Sequence, residues 1–303
     1  MEKGNSKRRT EDIRRLLEER ARGIIHPGGR EIKVIGEQDA LDIAEKCGLG
    51  IPGVFLAALE QRICPRRYIR NLESLSVKDQ WILARSRAAV IGAGGLGGQV
   101  ILILARIGVG NLVVADGDRF DETNLNRQAL CTVEALGRFK SQVAEEVVQK
   151  VNPGVTVIPH QTRLDASTAP EILRGSDVVV DALDTISDRF ILERAARELG
   201  IPLVHGAVAG FEGRLMTIFP EDSGMASLYG VEDGGEEGRT TPEALLGVPA
   251  PTPALLATLQ AMETIKILLG RGPLMRNRML YADLDGGSLE TFSFDEENRD
   301  TRS

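Results

Sequence analysis

No run of about eighteen apolar residues occurs anywhere in the chain, so a membrane-spanning helix is not expected. The start, Met1-Glu2-Lys3-Gly4-Asn5, runs into charge where an apolar signal segment would stand. An excess of base is also lacking. The formal net charge is −7, whereas a dedicated nucleic-acid binder gathers Lys and Arg on one face to displace counterions from phosphates. Cys47, Cys64 and Cys131 include no Cys-x-x-Cys pair, so no two thiolates are spaced for one tetrahedral metal. They read as buried free thiols. His26, His160 and His205 are equally scattered, which leaves a histidine metal site or a catalytic triad little to stand on. These absences predict a cytoplasmic protein with neither membrane nor nucleic-acid partners. Its chemistry must use other groups.

What is present is ample material for a core, at 303 residues and 42% hydrophobic content. Two regions differ in pattern. Residues 1–65 read as a small, mainly helical accessory module, with a charged helix over 11–22, a Pro-Gly-Gly turn at 27–29, a strand over 32–35 and helices over 38–46 and 54–62. The last two helices leave a helix-turn-helix open, although the connection at 47–53 is long for one. Residues 66–303 form the main domain. From Ser86 onward apolar runs alternate with helical periods, as in a Rossmann-like α/β fold with a largely parallel sheet. Strands are expected over 88–91, 112–115, 155–158, 178–181 and 203–207, with helices over 96–107, 140–151 and 189–199. Antiparallel strands over 214–219, 279–283 and 289–294 continue the sheet, interrupted by an apolar helix over 254–269. Residues 221–253, rich in Gly, Glu, Pro and Thr, read as a mobile crossover loop.

The segment Val90-Ile91-Gly92-Ala93-Gly94-Gly95-Leu96-Gly97 leaves a strand and opens a helix. Glycines there allow a tight turn and close approach of backbone amides to a phosphate, with the helix N-terminus facing the anion. Asp116 follows the next strand, where a carboxylate can accept hydrogen bonds from ribose hydroxyls. This much fits a nicotinamide-dependent oxidoreductase as well as an ATP enzyme. The continuation Asp121-Glu122-Thr123-Asn124-Leu125-Asn126-Arg127-Gln128, and then Lys140, places polar and cationic groups just beyond the strand end. A dehydrogenase has no need of them. A triphosphate does, because charge moving toward pyrophosphate must be stabilised by fixed cations.

The pattern resembles the ubiquitin-activating-enzyme-like adenylyltransferases that include MoeB, ThiF and HesA. It is carried by Arg67-Tyr68-Ile69-Arg70-Asn71, the glycine turn, Asp116, Asn124-Leu125-Asn126-Arg127-Gln128, Lys140, Asp181-Ala182-Leu183-Asp184 and Leu259-Gln260-Ala261-Met262-Glu263-Thr264-Ile265-Lys266. The resemblance implies an ATP-binding adenylyltransferase domain. Gly92, Gly94, Gly95 and Gly97 would cradle phosphate, Asp116 would bind the ribose, and Asn124 and Gln128 would orient phosphates. Arg127 and Lys140 would neutralise charge, Asp184 would hold Mg²⁺, and Arg70 would reach into the partner subunit of a homodimer. The substrate would be the C-terminal carboxylate of a small ubiquitin-like sulphur-carrier protein ending in Gly-Gly, as in molybdopterin or thiamine biosynthesis.

Two departures narrow this. Many relatives carry paired Cys-x-x-Cys motifs for a structural zinc, but here the first region reads Pro220-Glu221-Asp222-Ser223-Gly224-Met225-Ala226-Ser227, so no zinc is expected. Relatives that form a thioester place a cysteine in the crossover loop, and residues 221–253 contain none. The reaction should stop at the adenylate. Three rivals stand beside this reading: an NAD-dependent oxidoreductase, a non-catalytic nucleotide-binding partner protein, and a tRNA-modifying adenylating enzyme of the same family.

Overall fold

The alternation of apolar runs and helical periods is realised in a computed structural model of the chain, which describes residues 2–26, 28–230 and 245–294. Contacts divide it into two compact units: Met1–Ser86 with Ala105–Asn111 and Val148–Thr156, and Arg87–Leu104 with Leu112–Val147 and Val157–Ser303.

In the first unit α1 (Glu2–Arg20) precedes a sheet of order β1-β2-β3, formed by Arg22–Ile25, Glu31–Ile35 and Ile63–Pro65. The first pair is antiparallel and the second parallel. The helices α2 (Glu37–Cys47) and α3 (Ile51–Glu60) connect β2 to β3, so they are a crossover between parallel strands. Gly48 ends α2 in the left-handed conformation at φ 60°. The charged helix expected to reach Arg22 stops at Arg20, because Gly23-Ile24-Ile25 pairs with β2 and β-branched residues suit a strand. Strands β1 and β3 went unforeseen, being too short for a period to register. Also unforeseen was α4 (Val77–Arg85), although its capping box is local: Ser76 Oγ accepts from Asp79 N, and Asp79 accepts from Ser76 N. Leu17, Ile35, Ile43, Val54, Phe55 and Ile63 pack as this unit's core.

The main sheet has eight strands in the order β11-β10-β9-β8-β7-β4-β5-β6. These are β4 (Arg87–Ile91), β5 (Asn111–Ala115), β6 (Thr156–His160), β7 (Val178–Asp181), β8 (Leu203–Ala209), β9 (Glu212–Ile218), β10 (Arg278–Asp283) and β11 (Ser288–Ser293). Pairs β4–β7 and β7–β8 are parallel, and from β8 outward the pairing is antiparallel. The expected Rossmann-like sheet continued by antiparallel strands is what forms. Val178, Val179 and Val180 are fully buried, which is why β7 reads as an unbroken apolar run. The helices are α5 (Gly95–Ile107), α6 (Lys140–Val151), α7 (Ala169–Leu173), α8 (Ile186–Glu198), α9 (Ala226–Tyr229) and α10 (Pro251–Leu269). Helix α10 starts earlier than its apolar period suggested, because prolines are tolerated in a first helical turn. Of the expected crossover loop, residues 231–244 lie outside the described residues. No described helix is long and apolar enough to cross a membrane.

The segment after β9, where the resemblance would have allowed a zinc clip, is tied by charge. Arg276 Nε donates to Asp222 Oδ1 and Oδ2 at 2.9 and 3.0 Å, its Nη2 reaches Asp222 Oδ1 at 2.7 Å, and the guanidinium lies 4.5 Å from the Phe219 ring centroid. The Asp222 side chain is only 5% exposed, so losing Arg276 leaves a buried carboxylate resting on the Phe219 N–H, which donates to its Oδ2 at 2.8 Å. Arg276→Met is expected to lower unfolding stability by about 1–3 kcal/mol, measured by denaturant titration. A chelator should leave the native chain's midpoint unmoved, and metal analysis showing a tightly held zinc would contradict the expected zinc-free fold.

Candidate functional site

The glycine turn joins β4 to α5, and its glycines have different physical reasons. Gly92 has φ +96°, its N–H donates to Ala115 O at 2.9 Å, and a Cβ there would sit 2.5 Å from Ala182 O. A Cβ on Gly97 would fall 1.8 Å from Gly92 O. Both are demanded by the fold itself. Gly94 and Gly95 are not: a Cβ on either would meet its nearest heavy atoms, Gln128 Nε2 and Pro253 Cβ, at 3.6 and 3.5 Å, ordinary contact distances. Glycine at these two positions leaves the start of α5 bare, where helix amides lack intrahelical acceptors and favour an anion.

Asp116, just past β5, accepts from Ala93 N at 2.7 Å through Oδ2 and from Asp118 N at 2.8 Å through Oδ1. The carboxylate thereby ties the glycine turn to the next strand end, with a remaining lone pair on each oxygen for a ribose hydroxyl. Burial pushes its pKa above the ordinary carboxylate value, opposed by the Lys140 charge and the two amides. Lys140 opens α6 with its side chain 9% exposed, and its Nζ meets Asp118 Oδ2 at 3.0 Å. Asp118 is 77% exposed, so this cation's protein partner is one that water or an arriving phosphate can replace.

The segment after β5 folds through a 3-10 turn, Glu122–Asn124. Asn124 is buried and its Oδ1 accepts from Asp121 N at 3.1 Å, one half of a reciprocal cap. The side chain expected to orient phosphates thus also holds its own loop. Arg127 Nη1 donates to Thr123 O and Asn126 Oδ1, both at 2.9 Å, while its Cγ lies 3.7 Å from where a Gly95 Cβ would stand. Gln128 is buried beside Gly94, and its Oε1 has no hydrogen-bond partner among the described residues. An orphaned buried acceptor costs stability unless something completes it.

Asp184 lies just beyond β7, exposed. Helix α8 takes Thr185 as its N-cap, without a side-chain cap hydrogen bond, so Asp184 does not serve as the cap. Among the described residues no group of three or more His, Cys, Asp and Glu is assembled for a metal. A single exposed carboxylate still fits Mg²⁺, which retains waters and binds through one or two carboxylates plus substrate phosphates. Arg70 lies in the first unit, exposed, near the end of the 3-10 turn Arg66–Asn71.

One cluster escaped the sequence altogether. His205 is fully buried, with Nδ1 2.7 Å from Asp181 Oδ2 and Nε2 3.1 Å from the Tyr229 hydroxyl. Burial holds the imidazole below its ordinary pKa in spite of Asp181. The signal was a histidine between Val204 and Gly206 in an apolar strand, which requires polar partners if buried. Their identity depended on residues 24 positions away on either side.

The glycine turn, Asp116, Gln128, Arg127 and Lys140 thus lie together just past the ends of β4 and β5, the end of an open α/β sheet where ligands bind. Bare amides and two cations can stabilise charge building on a phosphate. The family model described as ThiF family matches residues 66–303. The SAMP-activating enzyme E1 of Haloferax volcanii is 37% identical over 230 residues, 75% of this chain and 84% of that protein. The sulfur carrier protein adenylyltransferase of Thermus thermophilus is 38% identical over 226 residues, 72% of this chain and 83% of that protein. By contrast, the chain spans 50% of the length of the adenylyltransferase and sulfurtransferase MOCS3 of Culex quinquefasciatus, at 35% identity over 230 residues, 72% of this chain. Among solved structures, E. coli MccB with ATP aligns with a TM-score of 0.66 at 21% identity, over 84% of this chain and 82% of that one, which is a likeness of fold.

Proposed function

The chain belongs to the ThiF family, and from that premise we propose that it is an ATP-dependent adenylyltransferase acting on the C-terminal carboxylate of a small ubiquitin-like sulphur-carrier protein. The observation that carries the nucleotide half is the pair Gly94 and Gly95, where a Cβ would meet described neighbours only at ordinary contact distances and where bare glycine would let a phosphate approach the backbone amides. The carrier half is supported by the names of the Haloferax and Thermus relatives. A carrier ending in Gly-Gly, of the kind that serves molybdopterin or thiamine biosynthesis, is the substrate class this favours.

The incoming carboxylate is ionised near neutral pH, so no general base is required. Its oxygen attacks the α-phosphorus, the bond from that phosphorus to the bridging oxygen breaks, and pyrophosphate leaves with the bond's electron pair. Amides at the start of α5 face the α-phosphate, Arg127 and Lys140 take up the charge shifted onto the leaving group, and Asp116 holds the ribose. Asp184 would hold Mg²⁺, which supplies charge neutralisation on the phosphates. Arg70 would complete the site of a second copy of the chain in a homodimer. Residues 221–253 contain no cysteine, so the adenylate is passed on without a thioester on that loop.

The reading is tested by ATP–pyrophosphate exchange with candidate Gly-Gly carriers, alongside thermal shifts with ATP·Mg²⁺ and with NAD. The expected outcome is carrier-dependent exchange and a shift of several degrees with ATP·Mg²⁺ alone. A shift with NAD only would make the chain an oxidoreductase, and nucleotide binding without exchange with any carrier would make it a non-catalytic partner.

A further inference from the structure

We propose that Tyr229 is a positioning residue for the turn that carries Asp184, acting through His205 and Arg189. The inference rests on the reading above that Asp184 holds Mg²⁺ beside the triphosphate. Its ground is a closed ring of hydrogen bonds in which donors and acceptors match in one proton arrangement. Arg189 Nη1 donates to the Tyr229 oxygen at 3.1 Å, and the Tyr229 hydroxyl donates to His205 Nε2 at 3.1 Å. His205 Nδ1–H donates to Asp181 Oδ2 at 2.7 Å, and Asp181 Oδ1 accepts from Leu183 N at 3.0 Å. Arg189 Nη2 then donates to Leu183 O at 2.7 Å, which closes the ring. The peptide groups of the residue preceding Asp184 are therefore gripped on both sides.

The inner part of the ring is buried, with the Asp181 and His205 side chains fully buried and that of Arg189 4% exposed, while Tyr229 and Leu183 are half-buried. The buried bonds among Asp181, His205 and Arg189 count for more than they would at the surface. The backbone of the turn is also held by Ala182 N to Ile91 O at 2.9 Å and by Gln260 Nε2 to Asp181 O at 2.8 Å. Thr185 makes no cap to α8, and its buried Oγ1 has no partner among the described residues. The same turn presses on the phosphate loop, since Ala182 O would lie 2.5 Å and Ala182 Cβ 3.1 Å from side chains placed at Gly92 and Gly97.

The test is calorimetric binding of an ATP analogue with a methylene group between the α- and β-phosphates, in MgCl2 and in EDTA, for the native chain, Tyr229→Phe and Tyr229→Leu. Phenylalanine keeps the edge-on ring contact with His205, at 5.7 Å and 85°, and removes the hydroxyl alone. Loss of a supporting contact behind a metal ligand costs about 10- to 100-fold in metal affinity. Tyr229→Phe should therefore lose about tenfold of the affinity measured in MgCl2 and none of that in EDTA. Tyr229→Leu should lose the same Mg²⁺-dependent part and also melt earlier. An unchanged ratio between the two buffers in Tyr229→Phe overturns the proposal and leaves the tyrosine a packing residue. Equal losses in both buffers overturn it too, as a general loosening. A native chain that binds no nucleotide, or binds it without regard to Mg²⁺, defeats the underlying reading instead, which separates the two failures.

Discussion

Asp184→Ala lowers ATP–pyrophosphate exchange about 100- to 1,000-fold, a loss of roughly 3–4 kcal/mol of transition-state stabilisation. The thermal midpoint should hardly move. Asp184 is exposed and does not cap α8, so its removal takes nothing from the folded state beyond a long-range attraction to Arg163. Arg127→Ala is expected to lower exchange to a similar degree. It also forfeits the hydrogen bonds to Thr123 O and Asn126 Oδ1, and a modest fall in midpoint should accompany it. The two losses differ in kind. Raising Mg²⁺ should partly restore exchange in Asp184→Ala, because a weakened metal site refills by mass action, whereas Arg127→Ala should keep its native Mg²⁺ dependence. Exchange unchanged in both variants would sink the adenylation assignment.

Gly97→Ala and Gly95→Ala should separate folding from binding within one turn. A methyl group at Gly97 would stand 1.8 Å from Gly92 O, deep inside van der Waals contact with backbone that cannot rotate away. The β4–α5 connection must open, at a cost of about 4 kcal/mol or more, which belongs to the small class of severely destabilising changes. At Gly95 the same methyl group finds Pro253 Cβ at 3.5 Å. It lies at the start of α5, and alanine is the better helix former by up to about 1 kcal/mol. Gly95→Ala should therefore melt at or above the native temperature while binding ATP at least about tenfold more weakly, a change of ~1.4 kcal/mol. Circular-dichroism melting and calorimetric titration of ATP·Mg²⁺ read the two effects. A Gly95→Ala chain that binds ATP as the native chain does would remove the observation on which nucleotide binding rests.

Most of the second unit was legible in the amino-acid order, and the reason is burial. Strands β4, β5 and β7 lie in the interior of the sheet, so their residues form short apolar runs between turn signals. Helix α6 came out at Lys140–Val151, as its period indicated. The first unit was less legible. Its strands β1 and β3 are four and three residues long, and a strand that short is defined by the neighbour it pairs with.

The site divides along the same line. Residues close in sequence could be read together: glycines at a strand end, an acid after the next strand, and polar and cationic groups in the following segment. That reading needs only a strand, a turn and a helix in succession. Tertiary structure alone decided that Gly92 answers to the fold and that Gly94 and Gly95 leave space, since that depends on Ala182, Gln128 and Pro253 arriving from elsewhere. It alone paired Arg276 with Asp222, and joined Asp181, Arg189, His205 and Tyr229 in one ring. Local order determines backbone preference and the periodicity of burial. The partner of a buried polar group is chosen by whatever the folded chain brings within hydrogen-bond reach, and sequence spacing carries no trace of it.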